Sequence, residues 1–210
     1  MPIPPELGLR RGWIYEVAAT TLGRDGPHAA PIGVSTPDGV VLRAELYKGS
    51  ATLANILENG LLGLNFPPGP ALLQTALHHR DRLRFAALAP EPPAAALAPE
   101  PPATPRGVPF LEGADAWLEL RGLRTEDAGR TVRLEASPGR LRAFGPVRLV
   151  NRAEGLLLES LVLSTRLHLM PPGQGRERLK ENARVVTKVA PGSELAAAMG
   201  ELLAALGLSS

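Results

Sequence analysis

Two compact turn signals near the N-terminus limit the architecture more than any other feature of this chain. Arg24-Asp25-Gly26-Pro27 and Pro37-Asp38-Gly39 interrupt a run that is otherwise apolar and β-branched. They leave three strand-length pieces, Trp13–Leu22, His28–Ser35 and Val40–Tyr47. Two successive hairpins predict an antiparallel meander that can close into a barrel. The period then changes. Ser50–Asn59 places Leu53, Ile56 and Leu57 at helical spacing, with Ser50 as N-cap and Gly60 where a terminating glycine belongs. Leu61–Phe66 reads as a short strand stopped by Pro67-Pro68-Gly69-Pro70, Ala71–His79 as a short helix, and Leu83–Leu88 as strand again.

The segment Ala86–Ala94, AALAPEPPA, is repeated identically by Ala95–Ala103. Proline fixes φ and removes a donor, so residues 86–105 are expected to be an inserted, extended surface loop. Beyond it, Ala116–Arg124 and Thr131–Ser137 alternate apolar and charged residues and predict strands. Asn151–Leu169, Glu177–Val189 and Ser193–Leu206 predict helices. The expected fold is α+β, an antiparallel barrel over 1–150 followed by a helical part over 151–210 that packs on the barrel, on a partner subunit, or on both.

Composition excludes several classes. With 44% hydrophobic and 21% charged residues the chain is globular, and with 4% aromatics its core must rest on Leu, Ala and Val. A net charge of +2 with mixed signs is no nucleic-acid footprint. The absence of cysteine excludes disulfides, thiolate metal sites and thiol nucleophiles. His28, His78, His79 and His168 are too scattered for a metal set, so no metal is expected. No apolar run is long enough to span a membrane and Met1–Glu6 does not resemble a signal peptide, so the expectation is a cytoplasmic protein.

Chemistry concentrates in two places. Tyr47-Lys48-Gly49-Ser50-Ala51-Thr52-Leu53-Ala54-Asn55 puts a cation, a glycine, two hydroxyls and a carboxamide at a helix start. Free N–H groups and the positive dipole end favour an anion there, phosphate above all. Arg43 shares its strand face with Glu45 and Tyr47 and supplies a second cation. Simple helix capping by Ser50 explains the same residues, and both readings stay open at this point. The second place is His28–Val34. Its small residues, Pro31 and Gly33, make a poor central strand and let something flat approach the backbone; a proline-guarded sheet edge is the alternative.

Ala30-Pro31-Ile32-Gly33-Val34 followed by Leu46-Tyr47-Lys48-Gly49-Ser50, Thr52, Asn55-Ile56 and Asn65 resembles the FMN-binding split-barrel superfamily. Within it, the chain is most similar to an uncharacterised family of archaea and methylotrophic bacteria, related to flavin reductases. Asn151-Arg152-Ala153, Glu159 and Thr165-Arg166 are similar to a helix of that family, and the resemblance covers most of 13–67 and 108–190. It implies FMN at a homodimer interface. The phosphate would meet Lys48, Ser50, Thr52 and Asn55, with Arg43, Tyr47 and Gly49 alongside; the ring would lie against Ala30, Pro31, Ile32 and Gly33. His28 stands where the family commonly has Asn. Arg152, Glu159 and Arg166 recur every seven residues, about 20° apart per step, and form either a solvated face or the border of the flavin cleft, with Asn151 at its start. The leucines around them predict a helix that must be buried nearly all round.

The activity implied is that of an FMN-dependent oxidoreductase whose small-molecule substrate stacks on the flavin, with family occurrence pointing toward one-carbon or pterin metabolism. A non-catalytic flavin carrier is the alternative. No residue is singled out as a catalytic acid, base or nucleophile.

Overall fold

The computed structural model describes residues 2–87 and 107–208. Six strands close an antiparallel barrel in the order β1-β2-β3-β8-β7-β4. They are β1 (Ile14–Gly23), β2 (Gly26–Ser35), β3 (Leu42–Tyr47), β4 (Leu62–Phe66), β7 (Ala116–Ala128) and β8 (Thr131–Ala143). A separate two-stranded sheet pairs β5 (Phe85–Ala87) with β6 (Pro109–Leu111). The helices are α1 (Ala51–Asn59), α2 (Pro70–His78), α3 (Arg152–Ser164), α4 (Gln174–Val189) and α5 (Glu194–Ala205). Most of the duplicated proline segment, 88–105, lies outside the described residues. Its first two residues, 86 and 87, belong to β5 rather than to a loop.

The barrel interior is aliphatic, as the aromatic-poor composition requires. Val17, Val34, Leu42, Leu46, Leu62, Leu64, Leu118 and Leu134 are buried there, and α1 adds Leu53 and Ile56. Buried polar groups are spent on stitching the layers together. Asn65 donates to Ala18 O (2.9 Å) and to Thr20 Oγ1 (3.0 Å) and accepts from Leu111 N (2.7 Å), which ties β4 to β1 and β6. Gly63 leaves room at this point: a methyl group there would run into the Trp117 indole, the Thr20 hydroxyl and Val108.

Several element boundaries differ from the sequence expectation, each for a local reason. β3 starts at Leu42 rather than Val40 because Asp38 Oδ1 accepts from Val40 N (2.8 Å) and Val41 N (3.0 Å), which holds the turn open. α3 ends at Ser164, not Leu169: Ser164 and Thr165 turn their hydroxyls back to Leu161 O (2.7 Å) and Val162 O (2.8 Å), and a 3-10 turn follows. β7 and β8 run to 13 residues each, well past the expected ends. The strand β6 was not foreseen at all, since three residues carry no period.

One side chain makes several of the bonds that join the helical part to the barrel. Asn151 accepts from Ala153 N (2.7 Å), capping α3, and donates to both Ile14 O and Val189 O (2.9 Å each). β1 is further bridged at Glu16, whose N–H reaches Val150 O at 2.8 Å. The expectation that α3 is buried all round fails within the single chain. Ala153, Ser160 and Leu163 are buried, whereas Leu158 is 64% exposed, Leu161 46% and Val162 37%. Among the described residues no helix is long and apolar enough to cross a membrane.

Candidate functional site

β2 is the unusual strand. It pairs with β1 along all ten residues, but with β3 only at Val34 and Ser35. From Gly26 to Gly33 its other edge has no strand beside it among the described residues. Pro31 therefore sits at an edge position, where a missing N–H costs nothing. The backbone of Ala30–Gly33 is left as a half-buried border of small residues. Gly33 faces Glu16 across the β1 pairing, and a Cβ there would come within 3.0 Å of Ile14 Cγ2. Its bareness keeps that border flat.

α1 begins where β3 ends. The Ser50 hydroxyl accepts from Leu53 N at 3.3 Å, so the capping reading holds. Capping and anion binding are compatible, because the other first-turn N–H groups lack helical partners and the Ser50 proton remains available to donate. Gly49 adopts φ 83°, which a side chain would resist. Thr52 is buried, and its Oγ1 lies 3.4 Å from Nε2 of His28 on β2. Burial and then the nearby Arg80 guanidinium push the His28 imidazole below its usual pKa. Asn55 turns inward and donates to Thr21 Oγ1 at 3.0 Å, so it supports the site from behind. Lys48 Nζ is engaged by Asp127 Oδ2 at 2.7 Å on the β7–β8 hairpin. That hairpin Asp is held below the usual carboxylate range, first by the Lys48 hydrogen bond and then by the Gly129 N–H.

A pocket of about 480 Å³ opens beside Gly33, between the outer barrel face and the helices. It gathers Gly33, Arg43, Tyr47 and Arg152 of the residues expected from sequence. Arg43 is paired with Glu135 (2.8 Å), and Arg152 with Glu16 (2.8 Å). Sequence reasoning missed Glu16, Arg133 and Lys188, which also line it. Only register could reveal Arg133, which stands opposite Glu45 on β3; nothing local marks Lys188.

The heptad stripe is not brought together. Arg152 reaches the pocket, Glu159 pairs instead with Arg178 of α4 at 3.5 Å, and Arg166 follows the end of α3 in the 3-10 turn. Asn151 spends its amide on the joint described above. Among the described residues no group of His, Asp and Glu could hold a metal ion.

A closed six-stranded barrel, helix-capped, with one strand edge open beside a helix N-terminus, has the architecture of the FMN-binding split barrels. The chain belongs to the family described as protein of unknown function DUF447: its N-terminal domain model matches residues 15–142 and its C-terminal model residues 151–203. An FMN-bound protein of the same family from Methanosarcina mazei is similar in structure, with TM-score 0.51 and 22% identity over 95% of this chain and 97% of that one. More distant is an FMN-binding protein from Thermus thermophilus with bound p-hydroxybenzaldehyde, with TM-score 0.47 and 16% identity over 62% of this chain and 71% of that one. A flavoredoxin from Methanosarcina acetivorans gives TM-score 0.48 and 15% identity over 62% and 68%.

Proposed function

We propose that this protein binds FMN and works with it as an oxidoreductase on a small organic substrate. The observation that carries the reading is the contact between Thr52 of α1 and His28 of β2. It joins an anion-accepting helix mouth to an open strand edge, and FMN is a ligand with a phosphate at one end and a flat hydrogen-bonding ring at the other. In this reading Ser50, Thr52 and the first N–H groups of α1 hold the phosphate, with Lys48 and Gly49 at its side. The bare backbone of Ala30–Gly33 takes the edge of the ring. The cofactor supplies hydride and single-electron chemistry; the chain binds it, orients it and sets its surroundings. The M. mazei protein, bound to FMN, supports the assignment. The exposed Leu158, Leu161 and Val162 on α3 support a homodimer, since such apolar surface is normally covered.

The test is the absorption spectrum of the purified protein before and after addition of FMN, followed by titration of a Ser50→Ala/Thr52→Ala variant. Hydrogen bonds to a charged group contribute about 1.5–3 kcal/mol each, so affinity should drop at least about tenfold per hydroxyl. Unchanged affinity in the double variant would remove the phosphate assignment.

A further inference from the structure

The pocket beside Gly33 has a charge balance that the flavin reading leaves unused. Its floor is apolar and flat: Ile14, Ala44 and the bare backbone of Gly33. At its rim stands Tyr47, an aromatic ring with the residue 73% exposed. At about 480 Å³ it suits one small organic molecule. Of its cations, Arg43 donates Nε to Glu135 and Arg152 is ion-paired through Nε with Glu16. Neither has a hydrogen bond from its terminal guanidinium nitrogens to another described residue. Arg133 is held by Glu126 at 3.0 Å and more loosely by Glu45 at 3.9 Å. Lys188, exposed at the last turn of α4, has no hydrogen bond or ion pair to any described residue. The pocket thus pairs a flat apolar floor with one cation that has no ion-pair partner among the described residues and two guanidinium groups that still have donors to offer. Arg152 and Lys188 stand in one wall, because Asn151 ties the start of α3 to the carbonyl of Val189, next to Lys188.

We propose that this pocket seats a planar organic anion, an aromatic or heteroaromatic ring bearing a carboxylate or phosphate, with its charged group at Lys188. Its role as the reaction partner of the flavin rests on the flavin reading above. The ring would stack between Tyr47 and the floor at Gly33, where the border expected to meet the flavin ends. The anion would take up the ammonium of Lys188 and the spare donors of Arg152. Arg152 is the exposed partner of its pair with Glu16 and its terminal nitrogens bond no other described residue, so it can take up the anion while Nε stays beside Glu16 and the pocket need not be rebuilt.

Calorimetric titration with phthalate and with phenyl phosphate, on the protein with and without FMN, tests this. Both probes, or one, should bind, which also separates the carboxylate from the phosphate source. Lys188→Met should weaken probe binding about tenfold, the range of one charge-assisted hydrogen bond, and Lys188→Arg should restore it. FMN affinity should not move. Lys188 is exposed, so a folded variant is expected and thermal unfolding checks it. If neither probe binds, or Lys188→Met binds them as well as the parent does, the proposal falls. If FMN affinity falls in parallel with probe affinity, the pocket holds the phosphate of FMN itself and the proposal also falls. Probe binding to a protein that takes up no FMN would overturn the flavin reading and leave the anion pocket standing.

Discussion

At the scale of single residues, His28 links the open β2 edge to the α1 mouth through Thr52. Burial and Arg80 hold its pKa below the usual value of about 6.5. Between the lowered folded value and about 6.5, the unfolded chain binds more protons than the folded one, so stability rises with pH across that window. Urea midpoints should therefore fall as the pH drops below about 6.5. A His28→Asn variant, which cannot take up a proton, should lose part of that slope; an identical pH profile in the variant would show that His28 is not the titrating group. Lys48, expected at the phosphate, is paired with Asp127. Both partners are largely exposed, so the ion pair is weak and Lys48 is free to exchange it for a stronger anion.

At the scale of elements, the joint at Asn151 decides how the helical part sits on the barrel. Asn151→Ala would remove the α3 cap and leave two carbonyls, of Ile14 and Val189, without their donor. A lost cap and stranded acceptors together should cost about 2–4 kcal/mol, readable as a lower denaturant midpoint. A change below about 0.5 kcal/mol would mean that the Arg152–Glu16 pair, the Glu16 N–H bond to Val150 O and the apolar contact of Trp13 and Ile14 hold the joint without it. Much of this level was legible in the sequence. Turn residues, the Ser50 cap and the switch from strand to helix period placed the barrel strands and the five α-helices of the described residues. What escaped was written in register rather than in local pattern. Beyond Arg121 the β7 residues are mostly exposed, and a strand without a buried face has no apolar alternation to find. The α1 mouth could be read because one contiguous segment builds it. The pocket could not, because Gly33, Arg133 and Lys188 meet only when β2, β8 and α4 are assembled.

At the scale of the whole molecule, the three exposed apolar side chains of α3 mark the proposed dimer face. Leu158→Asp with Leu161→Asp should shift the protein toward monomer in sedimentation equilibrium while far-ultraviolet circular dichroism is retained. A dimer that survives both charges would place the contact elsewhere. The barrel itself is unevenly closed. Ten residue pairs join β1 to β2 and six join β3 to β8, but two join β2 to β3. Local opening follows the path of fewest bonds, so that join is where the hoop should part first. Amide protons near Val34 and Ala44 should then exchange with deuterium well before those of the β1–β2 ladder, and a ligand laid along the bare edge would act as the missing weld and slow them. Slow exchange at the join in the ligand-free protein would instead show a barrel already sealed.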